Sequence, residues 1–541
     1  MDNINYFYLF LIFIDYVSFF NTNLGNMNQV LNLLGKIKTP PFLLARHSVF
    51  TYSLLFNKEI EPSHNYSDRF FTILSYEFQK FLGTKDDLFL LEASPRTGKT
   101  EFLINIFLTF LIGNRQDHRF LLICSNQVLK KDLRRKIERV CRSKFFQKIF
   151  PRILIDISND TEMIFSNGNS INFTTTNSSV PIGAGFHFIF LIDYLNSDTM
   201  RSTPLREEAF AQLQGFLSRT QHNPATKIIV DNQRLGVEDL SAYLTKQYDE
   251  MSLPYQRLTF PYQFDSDFHY KIGEKNVTFK EGEFLVDRFN DFEKRKIIAR
   301  LGNFVYDVQF LQKARRARGD LVKREQFRFY KQVDLENNKF INGFMTTDLA
   351  LSDKQYNDFN VFCFWLVDSN FNLYLVDMLR LKIKGLQAES ALYNFYLKWR
   401  DGLKNGGVGC NRITFENTTN TMLTIQRYKS GFEVDIFIDG QKIRRKVSFG
   451  GLVKELARTK NKFSRAIDAV PYIEAGQVFL PSHDVKIDGV KSVVDDITDP
   501  LITEAENFRE DDSHEHDDIF DNLIDAINEA RTPMSSLEIG W

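Results

Sequence analysis

An apolar run, Leu88-Phe-Leu-Leu-Glu-Ala93, stops at Ser94-Pro-Arg-Thr-Gly-Lys-Thr100 and is followed by a second long apolar stretch. Residues of these types at this spacing bind phosphate. Backbone N–H groups of the turn cradle a triphosphate, Lys99 reaches its β and γ phosphates, and the Thr100 hydroxyl holds Mg2+. The helix that follows points its positive end at the anion. Ser94, Pro95, Arg96, Thr97, Gly98, Lys99 and Thr100 are therefore the expected ATP contacts, with Ala93 standing where such loops usually carry a first glycine. Downstream, Gly183-Ala-Gly-Phe-His-Phe-Ile-Phe-Leu-Ile-Asp193 reads as a buried strand ending in one carboxylate. An acid there orders the magnesium and its water. A strand-terminating Asp in a turn is the plain alternative, but the loop and this acid explain each other. A further apolar strand, 227–230, leads to Asn232-Gln233-Arg234-Leu235, polar groups that would face the nucleotide from a strand's carboxyl end.

The C-terminal third holds a second constellation of acids. Phe344-Met-Thr-Thr-Asp348, followed by Asp358, precedes two alternating strands, 361–367 and 372–377, and Ile413-Thr-Phe-Glu416 supplies another strand ending in an acid. His516-Asp517-Asp518-Ile-Phe-Asp521-Asn-Leu-Ile-Asp525 supplies a third group on a helix that buries Ile519, Leu523, Ile524 and Ile527. The i, i+4 spacing puts Asp517 and Asp521 on one face. Three acids from separated segments suit two Mg2+ or Mn2+ ions that activate a water and stabilise the leaving oxygen in phosphodiester cleavage. Taken singly, each acid reads as a solvated strand end or helix cap; their order along the chain is what points to a site.

The elements that must position these groups follow from patterning. Residues 66–83 and 101–112 read as helices before and after the loop, 120–124 as a second apolar strand, and 125–140 as a basic helix. Strand–helix alternation of this kind implies a parallel sheet covered by helices. The 541 residues allow about three domains by the usual size prior. Net charge is −1, so any nucleic-acid surface must come from local clustering of basic residues. Cys124, Cys141, Cys363 and Cys410 lie far apart with no Cys-x-x-Cys pair, which argues against zinc and a disulfide framework and fits a reducing compartment. Tyr6 to Phe20 is apolar but too short to span a membrane and lacks a basic leader; a buried helix or an extension upstream of a start at Met27 is the expectation. The 53 Phe are spread along the chain and read as a composition bias.

Taken together, these residues resemble the large terminase subunit of tailed double-stranded DNA bacteriophages, over about residues 60–530. Ala93-Ser-Pro-Arg-Thr-Gly-Lys-Thr100 is similar to that family's phosphate loop, with Pro95, Arg96, Gly98 and Lys99 retained, and Ser125 to Ile137 to its segment after the second strand. Gln233-Arg234-Leu235 with Glu238-Asp239-Leu240-Ser241 looks like the coupling motif, in which a polar residue senses the γ-phosphate. Residues 283–330, with Leu301-Gly302, Gln309, Gln312 and Gly319, resemble the connecting segment, and Lys462-Phe-Ser-Arg465 and Glu474-Ala-Gly476 the approach to a third nuclease acid. The resemblance implies an α/β chain in four parts. These are an N-terminal extension (1–60), a phosphate-loop ATPase with a parallel sheet (61–262), a connecting segment (263–340), and a ribonuclease H-like nuclease with a mixed sheet (341–541). It implies catalysis by Arg96, as an internal arginine finger unless a neighbouring subunit supplies one, and by Asp193. Asp348, Glu416 and Asp517 would carry the nuclease metals, with Asp358, Asp518 and Asp521 as further candidates. It also implies a double-stranded DNA concatemer as substrate, the portal protein of the procapsid and a small terminase subunit as partners, a homo-oligomeric ring at the portal, and no membrane. The expected location is the host cytoplasm, transiently at the portal. A helicase-like or repair ATPase fused to a nuclease shares these motifs, as would a decayed prophage copy.

Tyr194 occupies the place where the family carries a second acid that polarises the attacking water. A phenol is a poor base at neutral pH. Slow hydrolysis, another acid such as Asp198, or ATP binding without turnover are the consequences open at this stage. For DNA, the expected contact is electrostatic and indifferent to sequence. The candidates are the hairpin 432–449, which turns at Asp439-Gly440 and carries Lys442, Arg444, Arg445 and Lys446, and the cluster Arg315, Arg316 and Arg318. A charged strand edge that guards against aggregation explains the hairpin equally.

Overall fold

The computed structural model describes residues 41–62, 65–66, 68–178, 185–220, 226–273, 275–315, 321–349, 359–383, 385–403, 408–417, 421–438, 441–456, 460–487, 492–509 and 517–531. Tyr6 to Phe20, Met27, Gly183, Arg316, Arg318, Gly319, Asp358, the Asp439-Gly440 turn and His516 lie outside them. The chain forms two compact units, one of residues 1–294 with 306–315, the other of 295–305 with 316–541.

The first unit is built on an eight-stranded sheet in the order β3-β4-β5-β2-β6-β7-β1-β8. Its strands are β1 (Leu88–Ala93), β2 (Arg119–Cys124), β3 (Ile155–Ser158), β4 (Glu162–Phe165), β5 (Ser170–Thr175), β6 (Phe188–Ile192), β7 (Lys227–Asn232) and β8 (Tyr255–Phe260). From β5 to β8 the neighbours are parallel, as the alternation predicts. The antiparallel edge β3–β4–β5 departs from that expectation. These edge strands are short and half-exposed, so they lack the continuous apolar run that marks a buried parallel strand. The central strands β1 and β6 are buried at every position.

Helix Arg69–Phe81 precedes the loop strand, and its rings knit helix to sheet: Phe78 stacks on Phe89 of β1 at 4.7 Å and on Phe107 at 4.5 Å. Much of the phenylalanine excess is core packing of this kind. After the loop the chain runs helically through Lys99–Glu101, widens to π-type hydrogen bonding over Phe102–Leu108, and closes with Thr109–Asn114. Gln127–Cys141 is the basic helix, capped by the Asn126 side chain on Leu129 N–H at 2.9 Å. A hairpin, β9 (Phe268–Ile272) and β10 (Lys275–Phe279), completes the unit.

The second unit has a mixed seven-stranded sheet, β11-β19-β14-β13-β12-β15-β18. Its strands are β11 (Arg328–Tyr330), β12 (Phe340–Asp348), β13 (Asn360–Asp368), β14 (Leu373–Leu381), β15 (Ile413–Glu416), β18 (Val453–Leu456) and β19 (Val478–Pro481), with β16 (Phe432–Ile438) and β17 (Gln441–Val447) as a separate hairpin. β12, β13 and β14 form the antiparallel meander, and β15 then β18 add in parallel beside β12. Helix Asp518–Ala530 lies against β12, β13 and β14 and against helix Lys462–Glu474. All four cysteines are buried and free. Among the described residues no helix is long and apolar enough to cross a membrane.

Candidate functional site

β1 delivers the chain into a turn that only particular residues can make. Arg96 and Gly98 take left-handed backbone conformations, with φ of 63° and 89°. At Gly98 a side chain would also press on Phe71 and Arg288, 3.3 and 3.4 Å from an ideal Cβ. Ala93 needs no such freedom: it is still in β1, registered against Phe260 of β8, which accounts for the missing first glycine. The loop is braced by Thr97, whose hydroxyl donates to the Ser94 carbonyl at 3.0 Å, and by Arg288, whose Nε donates to the Arg96 carbonyl at 3.1 Å. Lys99 is buried and folds back to donate to the Ala93 carbonyl at 2.9 Å. The Arg96 side chain is exposed.

An acid that contacts this loop is Asp231, which the sequence reading passed over. It is the penultimate residue of β7, fully buried, and registered between Leu91 of β1 and Ile192 of β6. Its Oδ2 accepts from the Thr100 hydroxyl at 2.5 Å, and its Oδ1 lies 3.9 Å from Lys99 Nζ. Oδ1 has no hydrogen-bond partner. Burial pushes this carboxyl up to about 7; Lys99 and the Thr100 hydroxyl pull it back, and the Asp193 carboxylate adds to the rise. Asp193 itself follows β6 with φ of 42°, and its N–H donates to the Asp231 carbonyl at 2.9 Å. The Thr100 hydroxyl and the Asp193 carboxylate are donors of the kind that fit a hard divalent cation, and Asp231 beside them keeps one orphaned buried oxygen.

Tyr194 turns out to be a core residue. Its hydroxyl donates to the Ala209 carbonyl at 2.8 Å, the residue is buried among Ala209, Leu213 and Leu191, and that burial raises its pKa further above the ordinary phenol value. Asp198 is exposed in the first turn of helix Ser197–Arg201. Gln233 is half-buried beyond the end of β7, whereas Arg234 is committed to structure: Nε donates to Asp239 at 2.8 Å, and Glu92 lies 3.7 Å away. The Arg234 backbone N–H donates to Gln312 Oε1 at 3.0 Å. Asp239 also caps helix Leu240–Glu250 by accepting from Ala242 N–H at 3.1 Å. Glu92, fully buried, takes Arg257 through contacts of 2.9 and 3.1 Å.

In the second unit Asp348 and Glu416 end neighbouring parallel strands. The register pairs Met345 with Ile413 and Thr346 with Thr414, so the two acids close β12 and β15 at the same level. The helix carrying the third group is fixed at its start by Glu504, which accepts from Ile519 and Phe520 N–H at 2.7 and 3.2 Å. Burial pushes the Glu504 carboxyl up to about 7 against the pull of Arg380, which lies 2.9 Å from it and 3.8 Å from Asp518. The face bearing Asp517 and Asp521 meets cations of the neighbouring helix. Lys462 pairs closely with Asp517 and lies 3.2 Å from Asp521; Arg465 spans Asp521 at 3.1 Å and Asp525 at 3.0 Å. Burial works against the Lys462 ammonium, yet the Asp521 and Asp517 carboxylates outweigh it and raise its pKa. Carboxylates are the right donors for magnesium or manganese. As they stand here, however, no group of three or more His, Cys, Asp or Glu side chains among the described residues is placed to hold a metal ion.

Of the basic candidates for DNA, Lys442 and Arg444 lie 3.0 and 3.1 Å from Asp435 across the β16–β17 hairpin, while Arg445 and Lys446 are exposed. Arg315 pairs with Asp307 at 3.0 Å.

No known protein-family model matches this sequence, and no curated protein does. Solved structures of phage large terminases are similar to it. The large terminase of a thermophilic bacteriophage aligns over 82% of this chain and 94% of its own at 10% identity and a TM-score of 0.45. The same terminase in complex with ADP aligns over 82% and 94% at 11% identity and a TM-score of 0.43. The HK97 bacteriophage large terminase aligns over 85% and 95% at 11% identity and a TM-score of 0.33.

Proposed function

We propose that this chain is a viral DNA-packaging motor: an ATPase that drives double-stranded DNA into a procapsid, joined to a metal-dependent endonuclease that cuts the concatemer. The observation that carries the ATPase is the convergence of Lys99, Thr100 and Asp231 at the ends of two adjacent strands, beneath a turn with two left-handed residues. Lys99 exchanges the Ala93 carbonyl for the β and γ phosphates, and the loop N–H groups take the remaining oxygens. Magnesium, held by Thr100 and ordered by Asp193, supplies charge neutralisation there. Gln233 faces the γ-phosphate, and Arg96, exposed at the tip of the turn, stabilises charge that develops on it.

Support for the nuclease is the level placement of Asp348 and Glu416 on adjacent strand ends and the packing of the Asp517-bearing helix on β12. These three acids are the proposed ligands for Mg2+ or Mn2+, with Asp518 and Asp521 beside them. Packaging rests on the resemblance of the motifs, in order along the chain, to the terminase family, which also supplies the proposed partners: portal, small terminase subunit and further copies in a ring at the portal, in the host cytoplasm. Phosphate release by the purified chain, with and without procapsids and linear DNA, tests this reading. Turnover stimulated by procapsids supports a packaging motor, turnover stimulated by DNA alone points to a helicase-like or repair enzyme, and no turnover marks a decayed copy.

A further inference from the structure

We propose that Asp231 is the water-polarising acid of the nucleotide site, doing from β7 what Tyr194 cannot do from the end of β6. This rests on the ATPase reading above. Tyr194 is disqualified by orientation: its hydroxyl is used on the Ala209 carbonyl, inside the core. Asp231 meets the geometric needs instead. It lies on the strand between the loop strand and the Asp193 strand, and one of its oxygens already touches the Thr100 hydroxyl. The other oxygen is buried, has no hydrogen-bond partner, and sits 3.9 Å from the lysine that grips the γ-phosphate. Buried carboxylate oxygens are seldom left unpaired, and this one has its hydrogen-bonding capacity unfilled beside Lys99.

The two acids then divide the work. Asp193 is held beside Asp231 through its N–H to the Asp231 carbonyl, so their spacing is set by the sheet. Asp193 would serve the metal, and Asp231 takes the proton of the reacting water. In the step itself, the water oxygen forms a bond to the γ-phosphorus while its proton passes to Asp231. The bond from the γ-phosphorus to the bridging oxygen breaks, and ADP departs with that electron pair. Asp231 afterwards returns the proton to the phosphate or to solvent.

The test uses the full chain and the variants Asp231→Asn, Asp193→Asn and Tyr194→Phe. ATP turnover is measured beside Mn2+-dependent binding of a fluorescent, non-hydrolysable ATP analogue, which reports on the site without turnover. Asp231→Asn is expected to bind within about twofold of the parent while turnover falls on the order of a hundredfold. Asp193→Asn is expected to lose the Mn2+ dependence of binding, and Tyr194→Phe to keep parental turnover. Parental turnover in Asp231→Asn overturns the proposal, and so does loss of its Mn2+-dependent binding, which would make Asp231 a metal ligand. Should Asp231→Asn fail to fold, Asp231→Glu keeps an acid at the position. Turnover in that variant within about tenfold of the parent supports the assignment, and unimpaired binding without turnover overturns it. A parent that binds the analogue but hydrolyses nothing overturns the ATPase reading itself, a result distinct from either.

Discussion

The two groups of acids are held in opposite ways. At the turn after β1, Asp231 is buried with one unpartnered oxygen, and its neighbours are the hydroxyl and ammonium that would receive a nucleotide. In the second unit, Asp517 and Asp521 are engaged by Lys462 and Arg465. The first arrangement is poised by burial, the second closed by neutralisation. Desolvation explains the difference. Asp231, fully buried with its nearest ammonium 3.9 Å away, has its pKa raised by burial, whereas several carboxylates on one helix face need close cations. On the proposed reading a nucleotide would enter a site that is built, and a nuclease metal would have to compete with a lysine for its ligands.

Breaking the closed arrangement has the largest expected effect. Arg465→Leu removes a buried guanidinium from Asp525 and Asp521, and should cost about 3–5 kcal/mol, read as a lowered urea midpoint. Lys99→Ala attacks the poised site and should cut ATP turnover on the order of a hundredfold in a phosphate-release assay, with little change in the urea midpoint. Asp348→Asn sharpens the contrast: Mn2+-dependent nicking of plasmid should disappear while ATP turnover stays at the parental rate. Nicking that persists removes Asp348 from the site.

The smallest effect is a pH dependence. Glu504 is pushed from 4.5 in the unfolded chain up to about 7, so the folded state keeps a proton that the unfolded state releases. Stability from this group is thus full below about pH 4.5 and is lost as pH rises toward about 7. Glu504→Gln, which can still accept from the helix start, should flatten the fall in urea midpoint between about pH 5 and pH 7.5. An unchanged slope would discharge Glu504 as its source.

The strand, turn and helix start around Gly98-Lys99-Thr100 were legible because they are contiguous and the pattern carries its own spacing. Asp193 was legible for the same reason, as one acid after an unbroken apolar run. Asp231 was not. It sits within the 227–232 strand, and its importance depends on β7 lying between β6 and β1, a sheet order that no local pattern encodes. Ala93 looked like a defect and is none, because the strand persists one residue further than the loop motif suggests. In the second unit the strand acids and the apolar stripe of the last helix were readable. The cations facing that helix were not: Arg465 and Asp525 are 60 residues apart, and helical periodicity cannot say which neighbouring helix will supply a partner.

The hydrogen bond from the Arg234 backbone to Gln312 has a mechanical meaning. Gln233, the residue proposed to meet the γ-phosphate, is one peptide link from that bond, and Asp239 pins the Arg234 side chain. The end of β7 is thus a short lever with a fixed pivot, its load arm ending on residues 306–315. On the proposed ATPase reading, a displacement at the phosphate would either drag that segment or break the bond.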